Sequence, residues 1–187
     1  MGEGTALLLC YYNRREQKGM TLTPEQHYQN LFEQMYSICE QQGWGDPFSY
    51  ARSREIHMAG VLGHTIAEDY SGADAYDEAG GCEYKSTINK TIRATYNGIS
   101  VQPTWEQQLK YLVQDKLGKY AHHYYARYVG GTIAEVWMLT AEQVMDILLP
   151  KLQRDWERKV NSTRHADPRL SGMVTAKEIR THGQRLV

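Results

Sequence analysis

The sequence predicts an α/β protein of the α+β kind, with one mixed, mostly antiparallel β-sheet flanked by helices. Three observations lead there. Apolar residues recur at helical spacing in separated stretches, clearest in LTPEQHYQNLFEQMYSICEQQG. Between them lie short runs rich in β-branched and aromatic residues and punctuated by glycine, above all HHYYARYVGGTIAEVWML. The order is helix, helix, a strand meander, helix, two strands, helix, and no repeat or long linker interrupts it.

The first helix should be capped by Thr23, admit Pro24 in its first turn and stop at Gly43. Tyr28, Leu31, Phe32, Met35, Ile38 and Cys39 then share one face, as core or as a dimer surface. SREIHMAGVLGHTIA predicts a second helix capped by Ser53, with Ile56, Ala59, Leu62 and Ile66 as its stripe. Strand-like runs follow at 73–77, 82–87 and 91–96. Thr104 caps the helical pattern TWEQQLKYLVQDKL, and Gly130–Gly131 turn a hairpin. Thr140 and Gln143 form a capping box for AEQVMDILLPKLQRDWERK, which Pro150 should kink. The 187 residues predict one domain. Residues 1–45 would be an N-terminal arm and helix serving dimerisation, and residues 50–187 the core that carries the chemistry.

Charge and cysteine usage narrow the class. With 21 basic and 22 acidic residues the chain has no global basic excess, so a nucleic-acid partner would need positive charge gathered locally. Such a balance also argues against a protein that coats nucleic acid indiscriminately. Cys10, Cys39 and Cys82 are odd in number and show no CxxC spacing, which fits reduced thiols better than a disulfide or zinc framework. The segment ALLLCYY is too short for a membrane span, so the expected compartment is the cytoplasm and no membrane partner is expected.

The stretch SGADAYDEAGGCEYKSTI holds the candidate chemistry. Residues two apart on a strand face the same side, so Glu83 and Lys85 project together while Tyr84 turns away. If the two runs pair across the EAGG turn, Asp74 comes beside Glu83. Two carboxylates with a main-chain carbonyl and water suit Mg2+, and a neighbouring lysine can orient or deprotonate a water and offset charge on phosphorus. By spacing alone, the same residues also describe an exposed charged hairpin.

The motif AD-x(8)-EYK resembles that of the PD-(D/E)XK nucleases, with Ala73 in place of the usual proline. The runs GHTIAEDYSGADAYDEAGGCEYKS, YYARYVGGTIAEVWMLTAEQVMDILLPKLQRDWERK and DPRL…HGQRLV are, in order, similar to segments of type II restriction endonucleases of the PvuII kind. The resemblance is patchy and runs from about residue 55 to the C-terminus. It implies a restriction-endonuclease-like core and a Mg2+-dependent, sequence-specific cut in double-stranded DNA. Asp74 and Glu83 would be metal ligands and Lys85 the catalytic lysine. It further implies a homodimer, matched to a palindromic site, and a cognate DNA methyltransferase in the same system. The family's additional carboxylate has no counterpart at Ser71; Glu68, Asp69 or Glu55 from the preceding helix could supply it. Tyr111 matches a tyrosine near the family's active site, although its helical spacing fits packing equally well.

For reading DNA, Asn89, Lys90, Arg93, Thr95, Tyr96 and Asn97 give donors suited to base edges and phosphates just after the motif. The family's run of base-reading histidines is missing there, and His122 and His123 are not expected to replace it. A second candidate loop holds Arg164, His165, Asp167 and Arg169. Two other readings fit the residues: a structure-selective nuclease, such as a junction resolvase or repair nuclease, and a non-catalytic DNA-binding module.

Overall fold

Thr23 caps the first helix as predicted. It accepts from the Gln26 N–H at 3.3 Å, while its own N–H reaches Gln26 Oε1 at 3.0 Å. The structure, a computed structural model, describes residues 22–68, 72–161 and 169–187. The chain divides into two units, Met1–Gln42 and Gly43–Val187. Within the first, helix α1 (Pro24–Gln42) leaves Tyr28, Leu31, Phe32, Met35 and Ile38 of the predicted apolar face exposed, while Cys39 on that face is buried.

The second unit is built on a six-stranded sheet. Its strands are β1 (Thr65–Ile66), β2 (Ala75–Asp77), β3 (Gly80–Thr87), β5 (His122–Val129), β6 (Thr132–Thr140) and β8 (Gln184–Arg185), adjacent in that order. Every pairing is antiparallel except β3 with β5, which is parallel from Cys82↔His122 to Thr87↔Arg127. The mixed, mostly antiparallel sheet flanked by helices is therefore present. The sequence predicted a single sheet, but the described residues form two. Strand β4 (Ala94–Ser100) leaves the large sheet and pairs with β7 (Arg169–Val174) in a separate two-stranded sheet. Patterning favours the pair: Ala94, Tyr96 and Ile99 on one strand and Leu170 and Val174 on the other are all buried, packed into one cluster with Tyr125, Leu139 and Leu148.

The hairpin turns follow local chemistry. Gly130 and Gly131 have φ of 57° and 84°, the doubly positive pattern of a two-residue loop, which glycine adopts at least cost. At the β2–β3 turn, Asp77 Oδ1 accepts from the N–H groups of Ala79 (2.8 Å) and Gly80 (3.1 Å).

Each face of the large sheet is covered. Helix α2 (Arg52–Leu62) contributes Met58 and Ala59 to a cluster with Ile66, Ala75, Cys82, Tyr84 and Tyr124. Opposite, helix α4 (Ala141–Val160) contributes Val144, Leu148 and Leu152 to a cluster with Tyr96, Leu112, Tyr125, Leu139 and Leu170. Burial of one such aliphatic side chain stabilises by about 1.5–3 kcal/mol. Thr140 and Gln143 cap α4 reciprocally, and the helix continues through Pro150. Thr104 caps α3 (Trp105–Tyr111), but the predicted helix changes pitch at Leu112–Lys116, where Leu117 N–H reaches back to Leu112 O at 2.7 Å. Helix α5 (Ala176–His182) precedes β8.

Helix α2 departs from its predicted start. Ala51 occupies the cap position, and Ser53 Oγ donates to Pro47 O instead. The helix ends at Gly63, φ 72°, so Ile66 falls in β1 rather than on the helical stripe. Among the described residues no helix is long and apolar enough to cross a membrane. Cys82 is a free thiol, and Cys10 lies outside the described residues.

Candidate functional site

The β2–β3 hairpin brings Asp74 alongside β3. Asp74, one residue before β2, extends the ladder by donating its N–H to Cys82 O at 3.0 Å. The Tyr84 N–H then donates to Asp74 Oδ2 at 2.6 Å and fixes that carboxylate against β3. Glu83 and Lys85 share a strand face, and the Lys85 ammonium donates to Glu83 Oε1. Their side chains are 16% and 27% exposed, so solvent still reaches the pair.

Glu55 joins from α2. Its carboxylate, 17% exposed, lies 3.5 Å from Arg52 Nη1. Arg52 is itself buried and anchored, donating to Trp44 O at 2.8 Å and to Ala67 O. That ties the start of α2 to the segment entering the hairpin.

These groups feel one another. Burial, then the charges of Glu83 and Glu55, push the Asp74 carboxyl up to about 7. Burial also raises Glu55, with Arg52 and Lys85 opposing and Glu83 adding to the rise. Burial disfavours the Lys85 ammonium, yet Glu83, Asp74 and Glu55 together hold it above its ordinary value. Three carboxylates thus gather around one lysine. Of the proposed sources of the additional carboxylate, Glu55 joins the cluster; Glu68 is exposed, and Asp69 and Ser71 lie outside the described residues.

The cluster suits a hard divalent cation. Burial does most to raise Asp74, and the charges of Glu83 and Glu55 add to it, so a bound cation would favour its ionised form. Among the described residues no group of three His, Cys, Asp or Glu side chains could hold a metal ion. Asp74 and Glu83 are the two carboxylates that could contact such an ion, with water or main-chain oxygen needed at its other positions.

No protein-family model matches this chain, and no curated protein does.

Beneath Lys85 lies a buried aromatic floor. Lys85 Nζ sits 5.2 Å from the Tyr96 ring centroid. His123 Nε2 donates to Leu117 O at 3.0 Å, which leaves Nδ1 to accept from Tyr96 O–H at 2.9 Å. Tyr125 O–H donates to the Tyr96 oxygen at 2.8 Å, completing the chain. Burial lowers His123 to about 4, so the ring is neutral, as this bonding requires. Tyr120, absent from the sequence prediction, also reaches the site. Its hydroxyl donates to Gly72 O at 2.6 Å, and after burial the charges of Glu83 and Asp74 do most to raise its phenol.

Tyr96 is the one predicted DNA-contacting residue that the fold turns inward. Strand β4 alternates, so Thr95 and Asn97 are exposed while Tyr96 is buried with its hydroxyl fully engaged. Asn89, Lys90, Arg93 and Arg169 are exposed; Arg164, His165 and Asp167 lie outside the described residues. Tyr111 packs against the core cluster beside α4. His122 is held by Asp77 and His123 by Leu117 and Tyr96, in keeping with neither being assigned to bases.

Proposed function

We propose that this chain is a Mg2+-dependent type II restriction endonuclease, hydrolysing phosphodiester bonds in double-stranded DNA at a short palindromic site. One observation carries the reading: Asp74, Glu83 and Lys85, in the order and spacing of the PD-(D/E)XK motif, lie on one hairpin and interact electrostatically with one another and with Glu55. The restriction-endonuclease-like core, the homodimer and the methyltransferase partner belong to the same reading and rest on the resemblance of the sequence.

Asp74 and Glu83 would hold the Mg2+, which supplies polarisation of a phosphoryl oxygen, a more acidic bound water and stabilisation of the leaving oxygen. Lys85 acts as an ammonium. It donates a hydrogen bond to the attacking water or to a phosphoryl oxygen and offsets the charge that develops on phosphorus. Glu83 orients Lys85, the Tyr84 N–H fixes Asp74, and Glu55 adds negative charge that favours a cation over water. In the homodimer, the exposed apolar face of α1 is the natural seam between two copies. A monomer in sedimentation at micromolar concentration would remove that part.

The test is incubation with randomised-sequence linear duplex and Mg2+ beside a Lys85→Ala control, followed by sequencing of the ends. A short palindrome shared by all ends is the expected outcome and gives site and stagger together. Cutting confined to junctions or flaps would instead establish a structure-selective nuclease. DNA bound but never cut would leave the non-catalytic binding module.

A further inference from the structure

Two cavities flank the segment that follows β3. One, of about 680 Å3, is bounded by the first turns of α2, by Asn89 and Lys90, and by the tip of the β5–β6 hairpin. The other, of about 590 Å3, lies between residues 89–93 and the 173–177 segment at the end of β7 and start of α5. Asn89 and Lys90 line both.

The charge of these walls is one-sided. Arg54, Lys90 and Arg127 line the first cavity and Lys90, Arg93 and Lys177 the second, and neither wall contains an aspartate or glutamate. Arg127 is compensated by Glu135 at 2.6 Å. Among the described residues no carboxylate pairs with Arg54, Lys90, Arg93 or Lys177. In a chain of formal net charge −1, four uncompensated cations around two adjoining hollows are a local concentration of positive potential. Asn89 adds a neutral side-chain amide to both walls.

The same elements supply the carboxylate cluster. Helix α2 gives Glu55 to the cluster and Arg54 to the first cavity; β3 gives Glu83 and Lys85, and its continuation gives Asn89 and Lys90. We propose that the two cavities form one phosphate track, in which the sugar–phosphate backbone of a DNA duplex crosses Asn89–Lys90 with Arg54 at one end and Lys177 at the other. The inference rests on the nuclease reading and adds residues that neither the motif nor the resemblance picks out: Arg54 and Lys177. A series of phosphates is the ligand chemistry that fits, because two hollows joined by shared residues match a repeating anion, whereas a single small anion would fill only one.

The test measures affinity for a labelled mixed-sequence duplex as a function of NaCl. All proteins carry Lys85→Ala, so that Mg2+ is present and the DNA stays intact. Arg54→Ala and Lys177→Ala should each flatten the slope of log K against log salt by about 0.9, the release expected for one phosphate contact, and the double substitution by about twice that. Lys177→Arg should restore the slope, and Arg154→Ala, on the exposed side of α4, should leave it unchanged. An unaltered slope in the double variant, with binding otherwise intact, would overturn the track and spare the nuclease reading. Flattening by only one of the two would overturn a track spanning both cavities. Failure of the Lys85→Ala parent to bind duplex at all would overturn track and nuclease reading together.

Discussion

Asp74 and Asp77 are three residues apart, on the same hairpin, and their environments are opposite. Asp77, 6% exposed, has both oxygens saturated: Ala79 and Gly80 N–H groups on Oδ1, His122 and Tyr124 on Oδ2 at 2.7 and 2.8 Å. Burial pushes its carboxyl up, but those donors outweigh burial and hold it below its ordinary value. Asp74 receives one main-chain N–H and faces two other carboxylates, and it is pushed up to about 7. Strand alternation separates them. The Asp77 network continues through Tyr124 to His64, whose Nδ1 lies 2.7 Å from Tyr84 O–H, all on the face of β3 away from Glu83 and Lys85. One hairpin thus carries a carboxylate saturated by donors and one that receives a single donor. Burial alone does not separate the two roles; the count of donors does.

The sharpest way to break the contrast is to remove each carboxylate in turn. Asp74→Asn, like Lys85→Ala, should lower the single-turnover cleavage rate by about 10²–10⁴-fold with an unchanged circular dichroism spectrum. Asp77→Asn should leave the rate of the folded protein nearly intact while costing about 2 kcal/mol in urea unfolding, since hydrogen bonds to an ionised acceptor are lost. Equal losses of cleavage in Asp74→Asn and Asp77→Asn would erase the distinction.

A pH series sharpens it further. The folded Asp74 carboxyl binds its proton more tightly than the unfolded one, so the folded state holds the extra proton between about pH 4 and 7. Stability from this group is therefore present at low pH and lost as pH rises through 7. In EDTA at pH 8, Asp74→Asn should be more stable than the parent by roughly 2 kcal/mol, and the gain should vanish near pH 4. Mg2+ should stabilise the parent at pH 8 and have little effect on the variant. Thermal melts at both pH values decide it; a destabilised Asp74→Asn at pH 8 would contradict the account. The smallest effect is expected of Tyr96→Phe, which keeps the ring beneath Lys85 and deletes the hydroxyl joining His123 and Tyr125. It should cost about 1–2 kcal/mol in denaturant unfolding and change the cleavage rate less than threefold, well below one hydrogen bond's worth of transition-state binding.

The local parts of this molecule could be read from the sequence, and the non-local parts could not. Thr23, Thr104 and Thr140 cap helices through bonds reaching three residues, and Gly130–Gly131 turns a hairpin, so each announces itself within a short window. The Asp74/Glu83/Lys85 grouping is of the same kind, because its spacing is set by one hairpin. Glu55 could be named only as one option among three, since no sequence pattern says which face of α2 meets β3. Tyr120 had no signal, lying far along the chain from the carboxylates it approaches. Tyr96 was misread because its neighbours are polar; its inward direction follows from the pairing of β4 with β7, a partner whose strand character was not seen. The start of α2 moved because Ser53 found Pro47 O, a contact that competes with capping.

The parallel pairing of β3 with β5 carries a kinetic consequence. A parallel neighbour cannot be reached by a tight turn, so residues 88–121 must loop out and return before Lys85 comes to lie opposite Tyr125. The carboxylate pair belongs to a hairpin closed by two residues, which forms at small entropic expense, whereas the aromatic floor under the lysine waits for a closure of much longer span. During folding the acidic half of the site can thus assemble while its lysine still lacks a floor. Divalent cations added during refolding would meet Asp74 and Glu83 before the aromatic floor beneath Lys85 exists.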